Sequence, residues 1–312
     1  MSRRLALAAT SLALALVTAT AALAASSTAA APTATRAGGF PVTVTALNGK
    51  VTLTRRPTRI ISLSPTATET LFAIGAGPQV VAVDDQSSYP KAAPRTALSG
   101  YTPNVESIAA YRPDLVVISY DPKGLSGALR QLGIPVVHHN AAANLKGAYQ
   151  QMRQLGSLTG RRAEADRLIA RTKAEIARIV KKAKPVGSRT SVFIELDPTL
   201  YSATSRTFVG RVAGLFGLRN IADPAEGTSG GYPQLSAEYV IAANPDVILL
   251  ADTVCCAQGP KTVAARPGWN GIAAVQSGSV IRMDDSIASR WGPRLVNLVR
   301  ALGTALGRLG SR

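Results

Sequence analysis

Histidine and cysteine, the residues on which most metal and nucleophile chemistry depends, are scarce in this chain. Two of each occur in 312 residues, and each pair is adjacent: His138-His139 and Cys255-Cys256. No second pair stands at zinc-ligand spacing and no H-E-x-x-H is present, so neither a structural zinc site nor a zinc-protease site is expected. Gly75-Ala76-Gly77 lacks the third glycine and follows a helical pattern, which excludes a dinucleotide fingerprint. Gly227-Thr228-Ser229-Gly230-Gly231 matches G-x-S-x-G. A nucleophile elbow needs a strand before the serine and a helix after it, and "NIADPAE" and "YPQ" supply neither. A hydrolase built on Ser229 is therefore disfavoured, and no catalytic or metal-ligating residue is expected. Aromatics make up only 5% of the chain, and nothing resembles a zinc finger, a basic zipper or an aromatic RNA-binding strand. Despite a net charge of +17, nucleic acid is not an expected partner.

The one long apolar run lies at the start. "MSRRLALAATSLALALVTATAALAASS" has two arginines, an Ala/Leu-rich stretch and Ala22-Leu23-Ala24 as an A-x-A site. This reads as a signal peptide over 1–24, cleaved near Ala24 on export; an uncleaved membrane anchor is the alternative. No cysteine follows the run, so no lipobox is expected. Loss of Arg3 and Arg4 leaves a net charge of +15. Residues 25–39, small and patternless, read as a disordered leader.

Beyond the leader, Asn48-Gly49 between alternating Val42, Val44 and Val51, Leu53 predicts a hairpin, with Asn-Gly supplying positive φ. "RIISLS", "QVVAVDD", "DLVVIS" and "IPVVHH" then alternate with helical segments, the pattern of a parallel α/β sheet. A 3.6-residue period runs from Ala163 to Lys184, with Leu168, Ile169, Ile176, Ile179 and Val180 on one face and Pro185 as its stop. "SVFIEL", "DVILLAD" and "VIRMD" begin a second alternation, closed by a helix over 293–310. The expected fold is α/β: two parallel-sheet lobes joined by a long helix, with the ligand cleft between the lobes. The boundaries are 40–157 for the N-terminal lobe with its leading hairpin, 158–185 for the connecting helix and 186–312 for the C-terminal lobe.

The lobes echo each other. "YTPNVESIAAYRPDLVVISYD" (101–121) and "YPQLSAEYVIAANPDVILLAD" (232–252) align Asn104 with Ser236, Glu106 with Glu238, Pro113 with Pro245 and Asp114 with Asp246. A carboxylate in the first turn of a helix is favoured by the helix dipole. That explains each glutamate singly and leaves their pairing open. Tyr89, Tyr101, Tyr120, Tyr201, Tyr232 and Trp291 fall in loops or at strand ends, outside the apolar stripes. Together they suggest a pocket for a large flat ligand, with Arg290 and Arg294 adding positive charge. His138 and His139 end a strand, where one could touch a ligand or both could be ordinary strand-end residues. Cys255 and Cys256 could form a disulfide outside the cytoplasm or remain free thiols. Neighbouring Cα atoms are about 3.8 Å apart, below the relaxed disulfide range.

"RIISLSPTATETLFAIGAGPQVVAVDDQSSYP", "PNVESIAAYRPDLVVIS", "VFIELDPTLYSATSRTFVGRVAGLFGLRNIAD", "YPQLSAEYVIAANPDVIL" and "ASRWGPRL" resemble the helical-backbone (class III) periplasmic binding proteins. These are the solute receptors of ABC importers for vitamin B12, haem and iron–siderophore complexes. The similarity runs from Arg59 to the C-terminus and looks most like the vitamin B12 receptors. It implies a monomeric exported receptor with no cofactor of its own. The expected cargo is a metal chelate, ranked cobalamin, then ferric siderophore, then haem. It also implies corrinoid contacts from Tyr89 and Tyr232, approximately from Tyr101 and Tyr120, and from the loop near Arg290; Tyr201 and Trp291, placed by the aromatic pattern, complete the expected ligand-binding set. Glu106 and Glu238 would dock on arginines of a transmembrane permease dimer. Two departures stand out: several tryptophans of the enterobacterial vitamin B12 receptors are tyrosines here, and Cys255-Cys256 have no counterpart there.

Overall fold

The computed structural model describes residues 39–183 and 190–309, so the signal peptide, most of the leader and Pro185 lie outside the described residues. Strands β1 (Val42–Ala46) and β2 (Gly49–Leu53) form the hairpin. Pairing closes at Ala46–Gly49, so the turn residues are Leu47 and Asn48. Of the Asn-Gly pair only Gly49 has positive φ, at 98°. Asn48 serves docking instead. Its Nδ2 donates to the Val136 carbonyl (2.9 Å) and its Oδ1 accepts from the His138 amide (3.1 Å), which ties the hairpin to a later strand.

The first sheet is assembled from β3 (Ile60–Leu63), α1 (Pro65–Ala73), β4 (Val80–Val83), α2 (Val105–Ala109), β5 (Leu115–Ile118), α3 (Leu125–Gln131) and β6 (Val136–His138). Its strands are all parallel, in the order β4-β3-β5-β6. Helices α4 (Leu145–Leu158) and α5 (Arg162–Lys182) follow. The second sheet comes from β7 (Ser191–Glu195), α6 (Phe208–Gly214), β8 (Arg219–Asn220), α7 (Ala237–Ala243), β9 (Val247–Leu250), α8 (Pro260–Ala264), α9 (Ala273–Gln276) and β10 (Val280–Arg282). It too is parallel, in the order β10-β9-β7-β8. Counted within each sheet, both orders read second, first, third, fourth. One topology is built twice. Helices α10 (Asp285–Ala288) and α11 (Leu295–Leu309) end the chain. Strands β3, β5, β7 and β9 are buried at every position, as sheets covered on both faces require.

Helix α5 has 21 residues, about 32 Å at 1.5 Å per residue. Ala165 belongs to the first lobe's core, Ile169, Ile176 and Ile179 belong to the second, and Leu168 packs on both. Helix α4 is divided likewise: Leu155 and Leu158 face the first core, Tyr149 and Met152 the second. The bridge between lobes is therefore two helices deep. Gly156 allows them to touch, since a Cβ there would stand 2.4 Å from the Ala165 methyl, closer than packed carbons allow.

The echoed segments perform the same local work in each sheet. Asn104 caps α2 by accepting from the Ser107 amide, and Ser236 caps α7 by accepting from the Tyr239 amide. Arg112 and Asn244, at matching positions, both turn the chain through positive φ, 47° and 44°. Asp114 then accepts from the Thr58 amide (2.8 Å), the Thr58 hydroxyl (3.0 Å) and the Arg59 amide (2.8 Å). Asp246 accepts from the Ser191 amide (2.7 Å) and hydroxyl (3.0 Å). Each aspartate pins the start of its sheet's first strand to the start of the third. Asp114→Ala removes a charged acceptor from three donors and is expected to cost about 2 kcal/mol of stability. Urea unfolding would show this as a lower midpoint with an unchanged slope.

Candidate functional site

In a parallel sheet, the loops at the carboxyl ends of the strands border the ligand crevice. Here both sheets turn those loops toward one cleft of about 820 Å³. Asp85 and Gln86 after β4 and Ala141–Ala143 after β6 line one side. Leu196 after β7, Ala251 and Cys255 after β9, and Asp284 and Asp285 after β10 line the other. Thr207 and Phe208 at the start of α6 and the 230–232 loop complete the wall.

Of the residues expected to bind ligand, Tyr232, Arg290 and Trp291 line this cleft. Tyr89 lies beside it, with the Arg294 guanidinium 4.4 Å from its ring centroid. Tyr101 and Tyr120 form a tilted pair 6.5 Å apart, 70% and 54% exposed, so the N-terminal lobe presents two adjacent solvent-facing rings. Tyr201 bridges Gln234 in an antiparallel backbone contact. The cleft walls thus gather three of the seven residues, and the other four are not among the cleft-lining residues. His139 is buried, and its Nε2 is 2.7 Å from Gln154 Oε1. Burial pulls its pKa down to about 4, the behaviour of a neutral packing residue. Among the described residues the Ser229 hydroxyl has no hydrogen-bond partner, and so no base, and its amide donates to the Glu226 carbonyl (2.9 Å) in a turn. Among the described residues, no group of three or more His, Cys, Asp or Glu is placed to hold a metal ion.

One buried carboxylate, Glu69, answers the positive charge of both Arg290 and Arg294. Glu69, from the middle of α1, has a side chain 1% exposed. Its Oε1 accepts from Arg290 Nη1 (3.0 Å) and from Arg294 Nη2 (2.6 Å). Arg290 also donates to the Gln86 carbonyl (2.8 Å), and Trp291 Nε1 donates to Gln151 Oε1 (2.6 Å). All these acceptors belong to the N-terminal half, so the segment after α10 is fastened across the cleft. Sequence reading missed Glu69. Its signal was a lone acid inside "PTATETLFA", a helix otherwise without charge.

Two further buried acids were also missed. Burial pushes Asp84, which follows β4, up to about 6, and Asp85 adds to the shift. Asp252, which follows β9, is pushed up to about 7 by burial and then by the adjacent Glu195 carboxylate. Glu195 is engaged by Arg266 through two bonds of 2.6 Å, and that guanidinium lies 4.5 Å from the Trp269 ring centroid. Cys255 and Cys256 are joined as a disulfide, with Cys255 exposed on the cleft wall.

Two α/β sheets of one topology, a helical bridge and a cleft between strand ends are the architecture of two-lobed solute receptors. The periplasmic binding protein family profile matches residues 60–287. An uncharacterized ABC transporter substrate-binding lipoprotein, YvrC, of Bacillus subtilis is 33% identical over 277 residues, 86% of each chain. A cobalamin-binding protein of Halobacterium salinarum is 32% identical over 282 residues, 87% of this chain and 76% of that one. Among solved structures, the periplasmic heme-binding protein RhuT of Roseiflexus superposes with a TM-score of 0.70 at 27% identity, over 80% of this chain and 97% of its own. The chain belongs to the periplasmic binding protein family, whose members bind solutes for transport outside the cytoplasm. No helix among the described residues is long and apolar enough to cross a membrane.

Removing one partner of a buried ion pair leaves the other charge uncompensated, typically at a cost of about 3–5 kcal/mol. Glu69→Ala strands two arginines, so thermal unfolding is expected to fall by several degrees. Small-angle scattering should show a larger radius of gyration as the fastened segment releases. An unchanged radius with a lowered midpoint would mean that Glu69 stabilises only its own lobe.

Proposed function

We propose that this protein is the exported solute receptor of an ABC importer and that its cargo is a metal chelate of the corrinoid type, cobalamin first. In this reading it catalyses no reaction and carries no cofactor. The signal peptide over 1–24 directs export and is removed near Ala24, and the receptor works as a monomer. It hands its cargo to a transmembrane permease dimer.

The observation that carries the ligand assignment is the charge balance of the cleft. Both arginines on its wall are paired with carboxylates: Arg290 with Glu69, and Arg206 with Glu226 at 3.3 Å. Asp85 lines one side of the cleft and Asp284 and Asp285 the other, and no histidine is among the lining residues. A haem would bring two propionates to a lining on which three aspartates face two arginines and which offers no imidazole for its iron. A corrinoid instead presents peripheral amides, which donate to carboxylates and carbonyls, and a flat face for Tyr232, Trp291 and Phe208. The size of the cleft, about 820 Å³, suits a ligand larger than a simple sugar or amino acid. The cobalamin-binding relative supports the same choice. A ferric siderophore is the second reading, favoured by the Tyr232 phenol on the wall. Titrating the purified protein with cyanocobalamin, a ferric hydroxamate and haem, followed by visible absorption, separates these readings. Saturable binding of cyanocobalamin at micromolar concentration or tighter is expected. Binding of haem alone would overturn the charge argument.

Glu106 and Glu238 are exposed second residues of matching capped helices, α2 and α7. The Glu238 carboxyl is held below the usual range by its own backbone N–H and by Ser236, so it is anionic at neutral pH. Neither residue lines the cleft. The double variant Glu106→Ala with Glu238→Ala is expected to keep its cyanocobalamin affinity and to lose cobalamin uptake by cells dependent on this receptor. Uptake at the normal rate would remove both residues from the docking surface.

A further inference from the structure

The Cys255–Cys256 disulfide has no role in the fold's long-range wiring: it joins neighbours, so it closes no loop whose entropy it could restrict. Its place is nevertheless specific. It lies in the turn after β9, with Cys255 exposed on the cleft wall and Cys256 half-buried behind it. The Cα atoms are 3.8 Å apart, below the range of about 4.4–6.8 Å for relaxed disulfides, so the bond is more easily reduced than an ordinary one. The turn also contains Ala257 at a φ of 53°, a conformation costly for a residue with a Cβ. The cleft in front of it is wide enough to admit a small thiol.

The same turn is bonded to the ligand segment. Asp285, the first residue of α10, accepts from the Val254 amide (3.0 Å) and the Cys255 amide (2.7 Å). Helix α10 leads within a few residues to Arg290 and Trp291, which line the cleft and bond to the opposite half through Glu69, Gln86 and Gln151. Cys255 thus belongs both to the disulfide and to the contact with Asp285, so a change at its sulfur adjoins that contact.

We propose that Cys255–Cys256 is a thiol-exchange site on the cleft wall, attacked by small thiol reductants, and that its redox state sets the affinity of the cleft for cargo. A thiolate of a dithiol reagent attacks the exposed Cys255 sulfur. The S–S bond breaks, Cys256 leaves as thiolate and takes a proton, and the reagent is held as a mixed disulfide. The reagent's second thiol then displaces Cys255 and departs as a cyclic disulfide. Two electrons and two protons have passed to the protein. The opened turn no longer presents both amides to Asp285, and α10 with Arg290 and Trp291 loses one of its anchors.

The test has three arms, of which only the last rests on the corrinoid reading. Native full-length protein is treated with graded dithiothreitol, alkylated and weighed. The site predicts two added alkyl groups under conditions that leave the fold intact by circular dichroism, and none in the Cys255→Ser, Cys256→Ser double variant. A pair that resists reduction until the protein unfolds overturns the proposal. Hydrogen exchange should then quicken by about tenfold at Val254 and Cys255 and through 285–291 on reduction; a change confined to residues 255–256 removes the coupling to the ligand segment. Finally, reduction should weaken cyanocobalamin binding by about tenfold in the wild type and leave the double variant indifferent to reductant. Equal affinities in both redox states overturn the control of affinity. Failure of cyanocobalamin to bind in either state refutes the corrinoid reading, while alkylation and exchange still decide the site.

Discussion

A single buried carboxylate organises this molecule. Glu69 has almost no contact with water and must be paired, because an isolated charge inside a protein is far too costly. Its partners come from some 220 residues later in the chain, and they are the arginines of the segment that lines the ligand cleft. The position of that segment, and hence the width of the cleft, is therefore fixed from the opposite lobe. The requirement acts in both directions: Arg290 and Arg294 are themselves mostly enclosed and have nowhere better to place their charge.

The same logic of paired charge recurs in the second lobe. Glu195 and Asp252 sit at the carboxyl ends of adjacent strands, and one guanidinium, Arg266, serves Glu195. With Asp252 pushed up to about 7, its carboxyl is about half protonated at neutral pH. For Asp252 the folded value lies above the unfolded one, so its contribution to stability is present at low pH and is lost as pH rises toward 7. His139 works in the other direction. Its folded value of about 4 lies below the ordinary 6.5, so its contribution is present above 6.5 and is lost as pH falls toward 4. The two largely offset across the weakly acidic range.

Much of the scaffold was legible because it rests on short-range rules. Continuous apolar runs gave seven of the strands, and the Leu168 to Val180 stripe gave α5 to within a residue or two at each end. The echo around Glu106 and Glu238 anticipated a repeat that the strand orders make explicit. Strand β8, two residues long, carried no periodicity to detect. The sharing of α4 between both cores depends on which way each turn of the helix faces once packed. The site was less legible. Loop aromatics could be nominated individually, but a sequence does not show which loops meet. Glu69 was hidden by its setting among threonines, and Asp84 and Asp252 by following strands as any turn residue does. What sets their chemistry is desolvation, a property of neighbours far along the chain.

The polarity of the sheets has a consequence for how such a receptor can change. Asp114 and Asp246 fasten the strands at their amino ends, while every loop around the cleft leaves from the carboxyl ends. The clamps that start each sheet and the loops that line the cleft thus lie at opposite poles of the same strands. Substitutions in the lining loops that spare the Glu69–Arg290–Arg294 cluster leave those clamps untouched. A lineage, or an engineer, could retarget this receptor by exchanging loops on an untouched frame.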